Sequence, residues 1–135
     1  MSEGPDPAQL RDALASLPPV DHRTRVEGLR GLLDGAGCDG LIVSHLTNVR
    51  YLTGFTGTAG LVVLTPTELV FVTDGRYGDQ AADQVGAAGI DARIEVSGVG
   101  QREVVAAAVG GMARLGLEAE HVSWAAQQRY AADWF

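Results

Sequence analysis

Two apolar runs, Leu61-Val62-Val63-Leu64 and Leu69-Val70-Phe71-Val72, flank the short segment Thr65-Pro66-Thr67-Glu68. Pro66 suits the early position of a tight turn, so the pair is read as an antiparallel hairpin. Upstream, Leu41-Ile42-Val43 is another continuous apolar run after a glycine-bounded turn, the pattern of a strand covered on both faces. Strands that show no polar alternation need helices to cover them. The chain is therefore expected to be an α/β domain of two or three layers, with the hairpin inside a mixed sheet.

The remaining periodicities supply those helices. Asp21 is placed to cap a helix in which Val26, Leu29, Leu32 and Leu33 recur, ending near Gly35 to Gly37. Asp74 is read as the cap of a helix from about Arg76 to Val85, followed by a strand from Ala92 to Val96. Ser97 precedes a helix from about Gln101 to Leu115. A last strand is expected within Leu117 to Ser123, ahead of a helix starting near Trp124. Residues 1–19 hold four of the five prolines and a helical stretch from Ala8 to Leu17, and read as an N-terminal arm to a domain spanning residues 20–135. The aromatic end, Trp134-Phe135, is expected to mark a place where the polypeptide continues.

Composition excludes several functions. A net charge of −7 opposes nucleic acid and anionic lipid, and no basic patch stands out. The apolar runs are far below the ~20 residues a bilayer span needs, and the acidic N-terminus lacks a signal-peptide core, which points to the cytoplasm. Cys38 is the single cysteine, so an internal disulfide and a zinc finger are both excluded, and it reads as a packing residue. No Gly-x-Ser-x-Gly, Gly-x-x-x-x-Gly-Lys or His-Glu-x-x-His motif is present. His22, His45 and His121 are far apart in sequence. Gly98-Val-Gly100-Gln-Arg-Glu103, with Glu118 or Glu120 downstream, resembles a dinucleotide-binding turn, but Glu103 replaces the third glycine and would crowd the pyrophosphate.

The least ordinary segment is Ser44-His-Leu-Thr-Asn-Val-Arg-Tyr-Leu-Thr-Gly-Phe-Thr-Gly-Thr-Ala-Gly60. It joins two buried-looking strands and is too long for a structural turn. Tyr51 and Phe55, four apart, are placed to share one aromatic surface on a short helical turn, or alternatively to close the edge of the core. The flanking glycines favour an exposed bend at Phe55.

Asn48-Val-Arg-Tyr-Leu-Thr-Gly-Phe55, followed after the hairpin by Thr73-Asp-Gly-Arg-Tyr77 and preceded by Gly37-Cys-Asp-Gly-Leu-Ile-Val43, resembles the N-terminal domain of the creatinase, prolidase and aminopeptidase P family. The resemblance spans about residues 20–134. It implies a mixed sheet of five to six strands flanked by helices, with a ribonuclease H-like motif, set ahead of a catalytic domain absent from this chain. It also implies that the catalytic domain holds two divalent metals, manganese, cobalt or zinc. No metal ligand and no catalytic residue are expected here. What the resemblance further implies is a homodimer or larger assembly whose substrate is a proline-containing peptide. Its substrate-pocket loop would carry Tyr51, Phe55, Thr56, Gly57 and Thr58. Asn48, Arg50, Asp74, Arg76 and Tyr77 would be structural: Asn48 and Arg50 through hydrogen bonds within the loop, and Asp74, Arg76 and Tyr77 as a helix cap and ion-pair anchor. Creatinase-type members carry a basic residue on the capping loop, where this chain has Thr56 and Thr58, which favours a peptidase. A stand-alone protein-interaction module and a small nucleotide-binding domain using the turn near Gly98 are the alternatives.

Overall fold

The computed structural model describes residues 4–98 and 100–134. Its elements run α1 (Pro7–Ala15), α2 (His22–Leu32), β1 (Gly40–Val43), α3 (Leu46–Thr53), β2 (Leu61–Leu64), β3 (Leu69–Thr73), α4 (Gly78–Ala87), β4 (Arg93–Val96), α5 (Arg102–Val109), β5 (Leu115–Leu117) and α6 (Trp124–Arg129). A π-helical turn, Tyr130–Trp134, continues α6. The sheet has five strands in the order β4-β3-β2-β1-β5, with β1, β2 and β3 antiparallel to their neighbours in turn, and β4 and β5 added parallel to β3 and β1.

Successive residues of a strand point to opposite faces, and here each face has its own core. Val43, Val62, Leu64, Leu69 and Phe71 face α2, α3 and α4, where Val26, Leu33, Val49, Leu52, Ala81 and Val85 meet them. Ile42, Leu61, Val63, Val70 and Val72 face Val105 and Val109 of α5, with Trp134 packed alongside. The continuous apolar runs follow directly from this three-layer α/β/α arrangement, because no position on β2 or β3 faces water.

Several boundaries differ from the sequence reading. Leu32 is 67% exposed, since at 100° per residue Val26, Leu29 and Leu33 turn toward the sheet and Leu32 turns away. The segment after β1 is a full helix, α3, rather than a long connection with one helical turn. Asp74 does not cap α4: its carboxylate accepts from the Arg76 backbone N–H at 3.0 Å, and α4 begins only after Tyr77. Ser97 precedes α5 without capping it. Its hydroxyl donates to the Gly100 carbonyl, closing the turn, and Gln101 holds the cap position. The helix stops at Val109, so Leu115 belongs to β5. Asp21 does cap α2, accepting from Thr24 N at 3.0 Å, and Ser123 caps α6 through Ala126 N. Phe135, the end of the aromatic tail, and Val99, in the glycine turn, lie outside the described residues.

Candidate functional site

The loop that leaves α3 carries most of the residues singled out in the sequence. Its first residue, Gly54, has φ +77°, a left-handed conformation that a side chain disfavours, and its N–H closes on the Arg50 carbonyl at 2.8 Å. Thr53 is fully buried; its hydroxyl donates to the Val49 carbonyl at 2.7 Å and accepts from Phe55 N at 3.2 Å. The chain is thereby turned straight down into the core. Phe55 is 1% exposed and packs edge-on against Phe71 and Tyr77, with ring centroids 4.8 and 5.6 Å away. Tyr51 is 55% exposed on α3, under the Arg25 guanidinium at 4.0 Å. The two aromatics do not share a surface, because Gly54 ends the helix between them and the four-residue spacing no longer describes one face.

Past Phe55 the loop passes over its ring. A Cβ on Gly57 would come within 2.3 Å of Phe55 Cζ and 2.9 Å of Tyr77 Cδ1, so the close approach requires glycine at that position. The backbone is then tied to α4 and β3. Thr56 N donates to Gln84 Oε1 at 3.0 Å, Gln80 and Gln84 both donate to the Thr56 hydroxyl, and the Thr73 hydroxyl donates to the Ala59 carbonyl at 2.6 Å. Thr58 Oγ1 lies 2.6 Å from the Tyr77 phenol, and this hydrogen bond holds the phenol below its ordinary pKa. Thr56 and Thr58 remain exposed while Gly57 is half-buried. The loop is a held projection that presents threonines outward and hides its aromatic ring.

The residues expected to be structural differ in their partners, and Asn48 finds its own outside the loop. Arg76 pairs with the Asp74 carboxylate at 2.7 Å and holds its pKa below the usual range. Asn48 Nδ2 donates to Glu118 Oε2 at 2.6 Å. The other oxygen, Oε1, accepts from Ser44 N at 2.6 Å and His45 N at 2.8 Å. His45 occupies the cap position of α3 with no side-chain cap of its own, so Glu118, from the end of β5, supplies the negative charge that helix N-terminus favours. Nothing in the local sequence marks that role, since Ser44 and Glu118 are 74 residues apart. Glu118 is thus committed to α3 and does not wait beside the glycine turn. The Arg50 guanidinium, expected to hydrogen-bond within the loop, is exposed, and only its backbone carbonyl joins the cap of α3.

Two of the histidines meet after all. His45 and His121 stack with centroids 3.8 Å apart and planes within 3°. Rings stacked face to face hold their lone pairs in parallel planes, which does not converge them on one ion. Among the described residues no group of three or more His, Cys, Asp or Glu side chains is placed to hold a metal. No helix among them is long and apolar enough to cross a membrane.

Known proteins resemble this chain in sequence or in fold. The uncharacterized peptidase YqhT of Bacillus subtilis (strain 168) is 49% identical over 61 residues, which is 45% of this chain and 17% of that protein. The Xaa-Pro dipeptidase of Bacillus anthracis superposes with a TM-score of 0.73 at 30% identity, over 83% of this chain and 32% of its own. The N-terminal domain of the cytoplasmic peptidase PepQ of Mycobacterium tuberculosis H37Rv superposes with a TM-score of 0.70 at 30% identity, covering 80% of this chain and 82% of that one. The chain thus spans under a third of the two longer relatives and most of the isolated domain. With the creatinase/prolidase N-terminal domain model matching residues 25–134, from α2 through the π-helical turn, the chain belongs to the creatinase/prolidase N-terminal domain family.

Proposed function

We propose that this domain is the non-catalytic N-terminal part of a cytoplasmic, metal-dependent Xaa-Pro dipeptidase or aminopeptidase. In this reading it packs on its own C-terminal catalytic domain, contributes to a homodimer, and sets the loop from Gly54 to Gly60 over the partner subunit's substrate pocket. The observation that carries the reading is the combination of the family match with the held loop: Thr56 and Thr58 face outward on a backbone fixed by Gln80, Gln84 and Thr73. A wall that does not yield converts peptide length into specificity, because a chain too long for the space pays in clashes rather than in lost contacts. The two divalent metals, manganese, cobalt or zinc, belong to the catalytic part. Among the described residues no group of three or more His, Cys, Asp or Glu side chains fits such a centre.

In the longer protein, Thr58→Trp is expected to lower kcat/KM for an extended Xaa-Pro peptide at least about tenfold more than for an Xaa-Pro dipeptide. Equal losses on both substrates would remove the loop from the pocket. The 135-residue chain alone, given manganese and an Xaa-Pro dipeptide, is expected to show only background turnover. Activity that persists through repurification would overturn the division of labour.

A further inference from the structure

Two glutamines of α4 set which way the Thr56 hydroxyl works. Thr56 N carries a backbone N–H, which only donates, so the Gln84 atom 3.0 Å from it is the amide oxygen. Gln84 Nε2 is thereby turned to the Thr56 hydroxyl and donates to it at 3.0 Å. Gln80 Nε2 lies 3.2 Å from both the Thr56 hydroxyl and Gln84 Oε1, and gives one proton to each. A threonine hydroxyl accepts through its lone pairs and donates through its O–H, and here the lone pairs receive both amides. Its O–H is what remains, and no acceptor among the described residues takes it. Thr56 is exposed while Gln80 and Gln84 are half-buried, so the open function faces away from α4. Thr58 is not restricted in this way, because its hydroxyl and the Tyr77 phenol share a bond in which either gives the proton.

Thr56 lines a groove of ≈ 440 Å³ whose other walls include His22, Arg25, Thr47, Arg50 and Tyr51 and no carboxylate. His22 Nδ1 and Arg25 both donate to the Tyr51 carbonyl at 3.0 Å, whereas the Arg50 guanidinium has no partner among the described residues. On a chain of net charge −7, a groove that offers donors and positive charge suits an oxygen that accepts.

We propose that the Thr56 O–H donates to an acceptor oxygen of the bound peptide, a backbone carbonyl or the terminal carboxylate, and that Gln84 is the positioning residue that keeps this hydroxyl a donor. The inference rests on the pocket-loop part of the proposed function. Its consequence is selectivity, since a substrate group that presents a proton at that place meets a second proton instead of a lone pair.

In the 135-residue chain, hydrogen exchange reads the clamp without any turnover. Gln84→Ala is expected to speed exchange of the Thr56 amide at least about tenfold, and Gln84→Glu, which keeps an acceptor for it, to leave the rate within about twofold. Unchanged exchange in Gln84→Ala overturns the clamp. In the longer protein, Thr56→Val removes the hydroxyl at nearly constant shape and is expected to lower kcat/KM for an Xaa-Pro dipeptide about three- to tenfold, while Thr56→Ser keeps it. Gln84→Glu turns the same hydroxyl inward onto the new carboxylate, with the same expected loss. The double variant Thr56→Val with Gln84→Glu is expected to lose no more than either single change, because both remove one donor. Losses that multiply, or an unchanged kcat/KM in Gln84→Glu, overturn the donor role; the loop still stands at the pocket if Thr58→Trp discriminates by peptide length. If no loop variant, Thr58→Trp included, alters turnover of any substrate, the pocket reading falls as well. An Xaa-Pro amide separates the acceptors: a loss confined to the dipeptide identifies the carboxylate, and an equal loss on the amide identifies a carbonyl.

Discussion

Phe55 is wedged between Phe71 and Tyr77 beneath a loop whose glycine touches its ring. Phe55→Ala removes that ring, and a backbone tied to α4 and β3 does not collapse into the space, so a loss of about 3–5 kcal/mol in unfolding free energy is expected. Urea denaturation measures it; a loss below about 1 kcal/mol would put the ring outside the core. The sequence pointed the other way at this residue, since flanking glycines are as compatible with an exposed bend as with a close pass over an aromatic face. The deciding facts are the left-handed Gly54 and the position of Gly57 against the ring, and only the second is invisible in the sequence. Thr56 and Thr58, by contrast, stand exposed on a bend of the kind the glycines suggested.

Helix α3 shows how an element can depend on a residue far outside it. Thr47, Asn48, Val49 and Thr53 are poor helix formers, and the helix has no side-chain cap of its own. Packing of Val49 and Leu52 and the Glu118 carboxylate at its N-terminus hold it. Glu118→Ala leaves the Ser44 and His45 N–H groups and the Asn48 amide without their acceptor, and is expected to cost about 1–3 kcal/mol. Glu118→Gln, which keeps an acceptor oxygen, is expected to cost less. Urea midpoints order the three proteins, and equal midpoints would show that water replaces the carboxylate at no cost. Long-range capping is why α3 was read as a connection, while α2, which carries its own cap in Asp21, was legible from its first turn.

For the whole molecule, acid is the informative perturbation. The Thr24 hydroxyl and N–H lower the Asp21 pKa, and Arg76 lowers that of Asp74. A carboxyl whose folded pKa is depressed contributes stability that is fully present above its unfolded value of about 3.9, and loses it as pH falls through the folded value. The melting temperature is therefore expected to drop as pH is lowered below about 5, and Asp21→Asn combined with Asp74→Asn is expected to flatten that descent. Asn retains the N-cap preference at position 21, so the fold should survive the change. An unchanged acid limb would assign the pH dependence to other carboxylates.

By itself the sequence determined the hairpin, the burial of both sheet faces, the cap of α2 and the family, because each is written in residues adjacent in the chain: periodicity, turn chemistry and contiguous motifs. Tertiary structure decided what depends on residues brought together from a distance. It set the order β4-β3-β2-β1-β5, committed Glu118 to α3, turned Leu32 outward and sent Phe55 inward. Local patterns fix which faces are apolar, whereas the partner of each face is chosen only when the layers close on one another.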